Sequence, residues 1–509
     1  MAGEHLEIER KYDVDADFEL PVLDGTEGVA AVDAAAEHQL EAVYHDTADL
    51  RLLQARVTLR RRVGGADEGW HLKLPAGSAR RELHVPLGRA VKNPPKGFLA
   101  PVADILRGAR TGSVATLRTR RLVTVLRDAE GRALAEVADD LVTATTAAGG
   151  ADQPAVVQGW REVEVELVAG DEDLLSAVGQ LLQDAGARPS ASTSKVARVL
   201  AARTADVAPP DGGGAKARRP RAGEFVVAAL REQVGALQQA DVLVRTEQPD
   251  AVHQLRVSAR RLRSTLAAFR AVLDREATAP VREELAWLGR QLSDARDDEV
   301  ALGHLRELVA AQPGELVLGP VAARIQQTAI HRAREGLDRA LLTLSEARYL
   351  RVLDSLHGLL DAPPFTDRAD APLRPVLRKA LRRAVRRLSS HLVAARQAPD
   401  AERQNALHNV RKAAKRVRYA AEIATGELGS AKALGRAAKR MQAGLGELQD
   451  SVVTREHCRR FGITAFAADE NTFTYGRLHG LEQARAEAGE RGFWEQEPRL
   501  RRVLQRATS

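Results

Sequence analysis

The sequence predicts an α+β domain built on an antiparallel sheet, followed by an all-α domain. Residues 1–203 contain short segments in which apolar and charged side chains alternate with a period of two, as is typical of strands. From residue 224 to residue 509 the pattern is almost wholly helical. Residues 204–223 between them are rich in Pro and Gly, which predicts a flexible linker.

Composition limits the class of protein. The 509 residues suffice for two or three cores, and with 44% apolar but only 4% aromatic residues these cores should consist of Leu, Val and Ala. Cys458 is the single cysteine, which excludes an intramolecular disulfide framework and a cysteine-based zinc site. No apolar signal segment opens the chain and no run of about 18 apolar residues follows. We therefore expect a cytoplasmic protein without a membrane partner.

The segments with period-two alternation predict an antiparallel sheet of seven or eight strands. They lie at residues 6–12, 56–63, 70–74, 80–85, 117–125, 133–140 and 161–168. Helical patterns at 27–42, 101–109 and 172–186 lie between or after these strands, and these helices are expected to cover the outside of the sheet.

The strands segregate their charges. Residues two apart on a strand share a face, so Glu7, Glu9 and Lys11 project together. The same parity groups Arg56, Arg60 and Arg62; His71 and Lys73; Arg118 and Arg120; Glu136 and Asp140; and Glu162, Glu164 and Glu166. For one strand, an amphipathic sheet with its charges in water explains such a face. Six strands, most of them nearly pure in sign, favour a closed tunnel with its charges inside.

A tunnel of this kind restricts its ligands. Several buried Arg and Lys side chains require counter-charge, which a compact polyanion would supply. Carboxylates in the same cavity would repel that anion unless a hard divalent cation lay between them. The pattern therefore predicts Mg²⁺ or Mn²⁺ together with a polyanion.

The ExExK motif at residues 7–11 resembles that of CYTH domains, the triphosphate tunnel metalloenzymes. The similarity continues through TLRRRV (58–63), WHLKLP (70–75), RRELHVPL (80–87), RTRR (118–121), LAEVADD (134–140), VEVEL (163–167) and STSKVAR (192–198). For residues 1–203 it implies a closed antiparallel tunnel of eight strands with outer helices, which hydrolyses a triphosphate with a bound metal ion.

The resemblance also implies roles for individual residues. The triphosphate would be held by Lys11, Arg60, Arg62, Lys73, Arg118, Arg120 and Lys195. The metal ligands would be Glu7, Glu9, Glu164 and Glu166. The catalytic set would be Glu7, Glu9 and Lys11 with the supporting carboxylates Glu82, Glu136 and Asp140. Asp140 is preferred to Asp139 because it shares strand parity with Glu136.

The helical half contains an internal repeat. Residues 251–266 align with residues 406–421, so that His253 matches His408. Basic residues follow at the same spacings, namely Arg256, Arg260, Arg261 and Arg263 in the first copy and Arg411, Lys415, Arg416 and Arg418 in the second. Three of these spacings share a helix face with the histidine, which predicts a basic stripe on each copy. A solvated face is the alternative, and it stays open for the basic run 374–388.

These repeats resemble the CHAD domain over residues 224–509. The resemblance implies two pseudo-symmetric four-helix bundles with a basic groove that binds inorganic polyphosphate. The groove would be lined by His253, Arg256, Arg260, Arg263, His408, Arg411, Lys415 and Arg418.

The function predicted from these resemblances is metal-dependent hydrolysis of inorganic triphosphate or a related triphosphate, with polyphosphate binding by the helical domain. The alternatives are a non-catalytic protein that binds polyphosphate or targets polyphosphate granules, an adenylate cyclase, a thiamine triphosphatase and a nucleic-acid binder. Sparse aromatic residues and the lack of a recognised DNA-binding motif argue against nucleic acid.

Overall fold

The structure, a computed structural model, describes residues 3–65, 67–76, 79–88, 92–95, 97–146, 155–192, 194–205 and 220–506, without the side chains of 3–6, 76, 204–205 and 293–297. The chain divides into two compact units, residues 1–214 and 215–509. Most of the predicted linker, 204–223, lies outside the described residues. One helix ends at Ala205, just inside the start of the predicted linker, and the next begins at Ala222, near its end.

The N-terminal unit is built on strands. They are β1 (Gly3–Glu7), β2 (Glu9–Val14), β3 (Ala31–Val32), β4 (Ala36–Asp46), β5 (Thr58–Val63), β6 (Gly69–Ala76), β7 (Ala79–Pro86), β8 (Gly112–Arg127), β9 (Ala133–Thr146), β10 (Val157–Leu167) and β11 (Arg188–Pro189). Its helices are α1 (Arg51–Gln54), α2 (Ala103–Leu106), α3 (Glu172–Asp184), α4 (Lys195–Val199) and α5 (Ala201–Ala205). The predicted α+β class is confirmed.

The strands form one antiparallel sheet in the order β1-β7-β6-β5-β4-β8-β9-β10-β2-β11, and β3 pairs with β8. The predicted closed sheet of eight strands is wrong, because the hydrogen-bonded ladder is open and ends at β1 and β11. The break lies at Ile8: β1 pairs with β7, whereas β2 pairs with β10 on the opposite side of the sheet. The chain at Ile8, whose carbonyl accepts the Leu167 amide at 3.0 Å, therefore joins these two sides without a continuous ladder.

Each of the seven segments predicted as strands contains a strand, but the helix predicted at 27–42 is wrong. That region holds β3 and the first half of β4. It is rich in Ala and Glu, which favour helix, yet β4 pairs with both β5 and β8, and this pairing overrides the local preference. The helices predicted at 101–109 and 172–186 are confirmed as the short α2 and as α3.

Two apolar clusters fix the two faces of the sheet. On the outer face, Val163 and Val165 pack beneath Val178 of α3. On the inner face, one end of the sheet is apolar, where Leu117 packs with Val196 of α4. The short helix α4 therefore fills that end of the inner face, and the polar residues of the same face are left to line a cavity.

The second unit is helical, as predicted. Its helices are α6 (Ala222–Arg245), α7 (Ala251–Ala268), α8 (Arg275–Gln291), α9 (Ser293–Ala310), α10 (Val321–Ser345), α11 (Ala347–Asp361), α12 (Leu373–Gln397), α13 (Asp400–Ala424), α14 (Ala431–Ala467) and α15 (Phe473–Arg506). The two repeats lie on α7 and α13, which contact each other. The arrangement in two pseudo-symmetric four-helix bundles stays a prediction. Within the described ranges, no helix is long and apolar enough to cross a membrane.

Candidate functional site

A cavity of about 670 Å³ lies on the inner face of the sheet. Its cationic lining consists of Lys11, Arg60, Arg62, Lys73, Arg80, Arg121 and Lys195. Its acidic lining consists of Glu7, Glu9, Asp33, Asp67, Glu82, Glu136, Glu164 and Glu166. Both signs of charge therefore share one cavity, as strand parity predicted.

Three adjacent strands place carboxylates side by side in this cavity. Glu166 of β10 lies opposite Glu9 of β2 on one side and opposite Glu136 of β9 on the other. Burial, followed by the charges of Glu7 and Glu9, raises the pKa of Glu166 to about 7. Such crowding of carboxylates is the donor set that a hard divalent cation prefers.

A second group of ion pairs lies on β1, β5, β6 and β7. Lys73 Nζ donates to both carboxylate oxygens of Glu7, at 2.5 and 2.7 Å. Glu82 lies 3.7 Å from Lys73 Nζ and 3.7 Å from Arg60, and its Oε1 is 2.7 Å from His71 Nδ1. Although burial opposes it, the His71 hydrogen bond and the nearby cations hold the pKa of Glu82 well below its usual range.

Lys195 contacts a cluster of three buried carboxylates. Its Nζ is 2.9 Å from Asp140, 2.6 Å from Glu162 and 2.6 Å from Glu164. One oxygen of each of these carboxylates lies within 4.8 Å of the others, so the cluster could also hold a metal ion. Arg121 adds contacts of 2.7 Å to both Asp140 and Glu164. Despite burial, Lys195 and Arg121 lower the pKa of Asp140, and with Lys11 they lower that of Glu164.

Lys11 connects the two acidic groups. Its Nζ donates to Glu9 Oε2 at 2.8 Å and to Glu164. Burial alone would lower the pKa of Lys11, but the charges of Glu164 and Glu9 raise it. The ammonium group therefore stays charged inside the cavity and is held in place before any ligand arrives.

The structure does not bring Arg118 and Arg120 into the cavity, so the predicted inward position of both is wrong. Their side chains are 77% and 51% exposed and pair with Glu41 and Glu37 on the outside of the sheet. Arg121, the next residue, is the one that faces inward. The sequence pattern placed the apolar Leu117 on the outer face of β8 and the charged Arg118 and Arg120 on the inner face. Leu117 in fact lies on the inner face, at the apolar end that α4 fills.

The helical unit contains a larger cavity, of about 900 Å³. Thirteen cations line it: Arg256, Arg260, Arg263, Arg270, Arg275, Arg282, Arg290, Arg383, Arg387, Arg411, Lys412, Lys415 and Arg416. Among its described lining residues, Asp450 is the single carboxylate. We call this cavity the basic pocket.

Most of the predicted groove residues line the basic pocket. Arg256, Arg260, Arg263, His408, Arg411 and Lys415 do so. His253 and Arg418 do not, so their predicted positions in the groove are wrong. Arg418 instead pairs with Glu422 at 3.2 Å, one turn further along its own helix, and stacks on Tyr419. The histidines of the two repeats therefore differ in environment despite their matched spacing.

The cations of the basic pocket repel one another. Burial, followed by the charges of Arg260 and Arg282, lowers the pKa of Arg263. Burial, followed by the charges of Arg387 and Arg263, likewise lowers the pKa of Arg416. Like charges at this density favour an anionic ligand, because counter-charge would relieve both the repulsion and the burial of charge.

His408 contributes a hydrogen-bonding group more than a charge. Its Nδ1 lies 2.9 Å from the amide oxygen of Gln449, an acceptor, so Nδ1 carries the proton. Burial and the charge of Lys412 lower the pKa of His408, while Gln449 opposes this shift. The imidazole is therefore neutral at physiological pH.

Comparison with known proteins agrees with the division into two units. Residues 5–200 match the CYTH domain, and residues 228–459 match the CHAD domain. The uncharacterized protein Rv2226 of Mycobacterium tuberculosis H37Rv is 41% identical over 495 residues, which cover 95% of this chain and 94% of that protein. The chain belongs to the CYTH-CHAD family. CYTH domains bind triphosphates, and their superfamily contains metal-dependent phosphoanhydride hydrolases and cyclases.

One further protein and two solved structures are also similar to this chain. The uncharacterized protein MT2285 of Mycobacterium tuberculosis CDC 1551 is also 41% identical over 495 residues, covering 95% of this chain and 94% of its own. The CHAD domain from the plant Ricinus communis is 23% identical, with a TM-score of 0.44, and covers 58% of this chain and 97% of that structure. The structure of PptA from Streptomyces chartreusis is 23% identical, with a TM-score of 0.43, and the match covers 54% of this chain and 98% of that structure.

Several lining residues of this CYTH-CHAD protein were not predicted. In the CYTH cavity, Arg80 shares strand parity with Glu82, so the sequence did contain a signal for it. Arg383 and Arg387 of the basic pocket lie one turn apart on α12, but their helix is basic on several sides. Periodicity alone could not show which side faces the pocket.

Proposed function

We propose that the CYTH unit hydrolyses inorganic triphosphate or a related triphosphate with bound Mg²⁺ or Mn²⁺, and that the CHAD unit binds inorganic polyphosphate. The observation that carries the first part is the CYTH cavity itself, in which cations and carboxylates together line about 670 Å³. Triphosphate hydrolysis requires a fixed anion and neutralised charge, and such a cavity provides both.

The residues proposed to hold the triphosphate are Lys11, Arg60, Arg62, Lys73, Arg80, Arg121 and Lys195. Arg118 and Arg120, which the sequence predicted, are not among them because they lie on the outside of the sheet. Lys73 and Lys11 already pair with Glu7 and Glu9, so an arriving phosphate would replace carboxylate partners. The cations are thus oriented in advance, which lowers the cost of binding.

A divalent cation fits best beside Glu7, Glu9 and Glu166. Glu136 lies opposite Glu166 on the neighbouring strand β9. Glu164, the fourth predicted ligand, fits less well because three cations, Lys11, Lys195 and Arg121, contact it, whereas among the described residues Glu7 and Glu9 each have one cation in ion-pair contact. When bound, the metal would polarise the phosphoryl group and offset carboxylate repulsion. Glu82 and the fully buried Asp140 would act as positioning residues, through Arg60 and Lys195 respectively.

Polyphosphate binding by the CHAD unit is supported by the basic pocket, whose described lining residues include thirteen cations and one carboxylate. A chain with one charge per phosphate would neutralise many of these cations at once. The pocket contains one aromatic residue, Tyr419, which leaves little surface for stacking nucleic-acid bases.

The test is phosphate release from tripolyphosphate, long-chain polyphosphate, ATP and thiamine triphosphate with Mg²⁺ or Mn²⁺. We expect release from at least one substrate, and a drop of at least about 100-fold in the Glu9→Gln variant, since a charge-stabilising group is lost. Glu130→Gln, an exposed carboxylate of the same unit, is the matched control. If wild type releases no more phosphate than Glu9→Gln, the hydrolase is refuted and the non-catalytic polyphosphate binder is favoured. Formation of cyclic AMP together with pyrophosphate from ATP would instead indicate a cyclase.

Cytoplasmic location and association with polyphosphate granules stay predictions. They are tested by localising the tagged protein in cells with and without polyphosphate. Loss of a granular pattern when polyphosphate is absent is the expected result.

A further inference from the structure

One part of the CYTH cavity is apolar. Besides its charged groups, the cavity is lined by Ala34, Ala36, Val123 and Val125. The two alanines are exposed and the two valines are half-buried. Neither valine belongs to the apolar clusters that α3 and α4 form with the two faces of the sheet. We call these four residues the apolar wall, and their side chains are open to a ligand in the cavity.

Strand register places the apolar wall beside the row of carboxylates. Val125 of β8 lies opposite Glu136 of β9. Glu136 in turn lies opposite Glu166 of β10, which lies opposite Glu9 of β2. Residues directly opposite each other on neighbouring strands share a face and lie about 5 Å apart. The wall therefore adjoins the carboxylates proposed to hold the metal ion, within reach of a group attached to a metal-bound triphosphate.

The apolar wall lies at the end of the cavity that solvent reaches. Helix α4 covers the inner face of β8 at Leu117, and Val125 lies eight residues further along the strand, a distance of about 26 Å. Just beyond Val125, Arg127 pairs with Asp33 at 2.8 Å, and these side chains are 34% and 40% exposed. An organic group bound at the wall would therefore lie near solvent, with its phosphates extending inward to Arg121.

We propose that the apolar wall binds the organic group of a triphosphate ester, so that the CYTH unit acts on heterocyclic triphosphates as well as on inorganic triphosphate. This inference rests on the proposed hydrolase. Inorganic triphosphate presents only oxygen atoms, which apolar side chains do not stabilise. A heterocycle or its sugar is stabilised there, because contact with the wall removes apolar surface from water. Nucleoside triphosphates and thiamine triphosphate share this chemistry, and the test separates them.

The test compares organic and inorganic triphosphates on the full-length protein with Mg²⁺ or Mn²⁺. The substrates are ATP, GTP, thiamine triphosphate and tripolyphosphate. The wall variant combines Val123→Thr and Val125→Thr, which keep the branched shape and strand preference of the side chains but make the wall polar. The control variant combines Val157→Thr and Val168→Thr, the same change at positions that are 67% and 52% exposed and do not line the cavity.

We expect the wall variant to lower kcat/KM for at least one organic triphosphate by about tenfold. The loss should lie in KM more than in kcat, because the organic group contacts the wall equally in the ground state and the transition state. Tripolyphosphate should keep its kcat/KM within about twofold of wild type, which also shows that the phosphate site is intact. If wild type binds tripolyphosphate without hydrolysing it, its inhibition constant is compared instead. The control variant should match wild type on every substrate.

A loss for ATP and GTP would assign the wall to nucleosides, and a loss for thiamine triphosphate alone would assign it to thiamine. Three results would overturn the wall proposal: an equal loss for tripolyphosphate, an equal loss in the control variant, or unchanged hydrolysis of every organic triphosphate. Hydrolysis of tripolyphosphate alone by wild type would also overturn it, while leaving the proposed hydrolase intact. If wild type hydrolyses none of the four substrates, the proposed hydrolase itself fails, and this inference fails with it.

Discussion

Replacing Glu166 should stabilise the CYTH unit in a manner that depends on pH. The folded-state pKa of Glu166 is raised from 4.5 to about 7 by burial and by Glu7 and Glu9. A carboxyl group whose pKa is raised by folding does not destabilise the folded state at pH values below its unfolded-state pKa. Its cost grows as pH rises from 4.5 and is complete above about 7. At about 1.4 kcal/mol per pH unit, the full cost is about 3 kcal/mol as an upper bound.

Glu166→Gln removes this cost while keeping the size of the side chain. Without metal, we expect the variant to melt several degrees higher than wild type at about pH 8, with roughly 10 °C as the ceiling for a unit of this size. Near pH 4.5 the two proteins should melt together, because Glu166 is then protonated in both states. The measurement is calorimetry in EDTA across this range, with the transition of the CYTH unit followed separately.

The exposed Glu130→Gln is the control and should shift the melting temperature by no more than about 1 °C at either pH. Added Mg²⁺ should stabilise wild type more than Glu166→Gln, since the variant has lost a proposed ligand. A gain that is equal at both pH values, or a loss of stability at pH 8, would refute the view that Glu166 lies in a crowded row of carboxylates.

Three further predictions follow from the same cavities. Lys195→Met should destabilise the CYTH unit by about 3–5 kcal/mol in urea titrations, because Asp140 and its neighbours would be left buried without their cation; an unchanged midpoint would contradict this. Arg121→Ala should lower kcat/KM for the triphosphate by at least about tenfold, while Arg118→Ala should leave it within about twofold. Equal effects would support the prediction from sequence that Arg118 holds the triphosphate. EDTA should abolish phosphate release but leave polyphosphate binding unchanged, as measured by the retention of labelled polyphosphate.

Sequence periodicity predicted the inner face of most strands because that face carries charge in alternate positions. It was wrong at Arg118 and Arg120 because the inner face changes character along β8. Near Leu117 this face is apolar and packs on α4, whereas near Arg121 it is polar. The role of α4 depends on contacts distant in sequence, and strand parity contains no information about them.

Of the eight groove residues predicted from the repeat in the helical half, six line the basic pocket and two, His253 and Arg418, do not. His408 has Gln449 beside it and lines the pocket, whereas His253, at the matching position, does not. A repeat fixes which face of a helix a residue lies on, but the packing of neighbouring helices decides whether that face is open. For the same reason the arginines supplied by α8 and α12 could not be selected from sequence.

The two cavities differ in how their charge is balanced, and this difference determines how each could select its ligand. In the CYTH cavity, Lys11 and Lys73 are already paired with carboxylates, so attraction to these cations alone adds little to the binding free energy of an anion. The anion must bind together with a metal ion, which neutralises the carboxylates that the anion displaces from the two lysines. Among the described lining residues of the basic pocket there are thirteen cations and one carboxylate, so any polyanion gains from neutralising these cations and no metal is needed. Metal dependence should therefore belong to the first site and strong salt dependence to the second, because screening weakens attraction between net charges far more than between residues already paired.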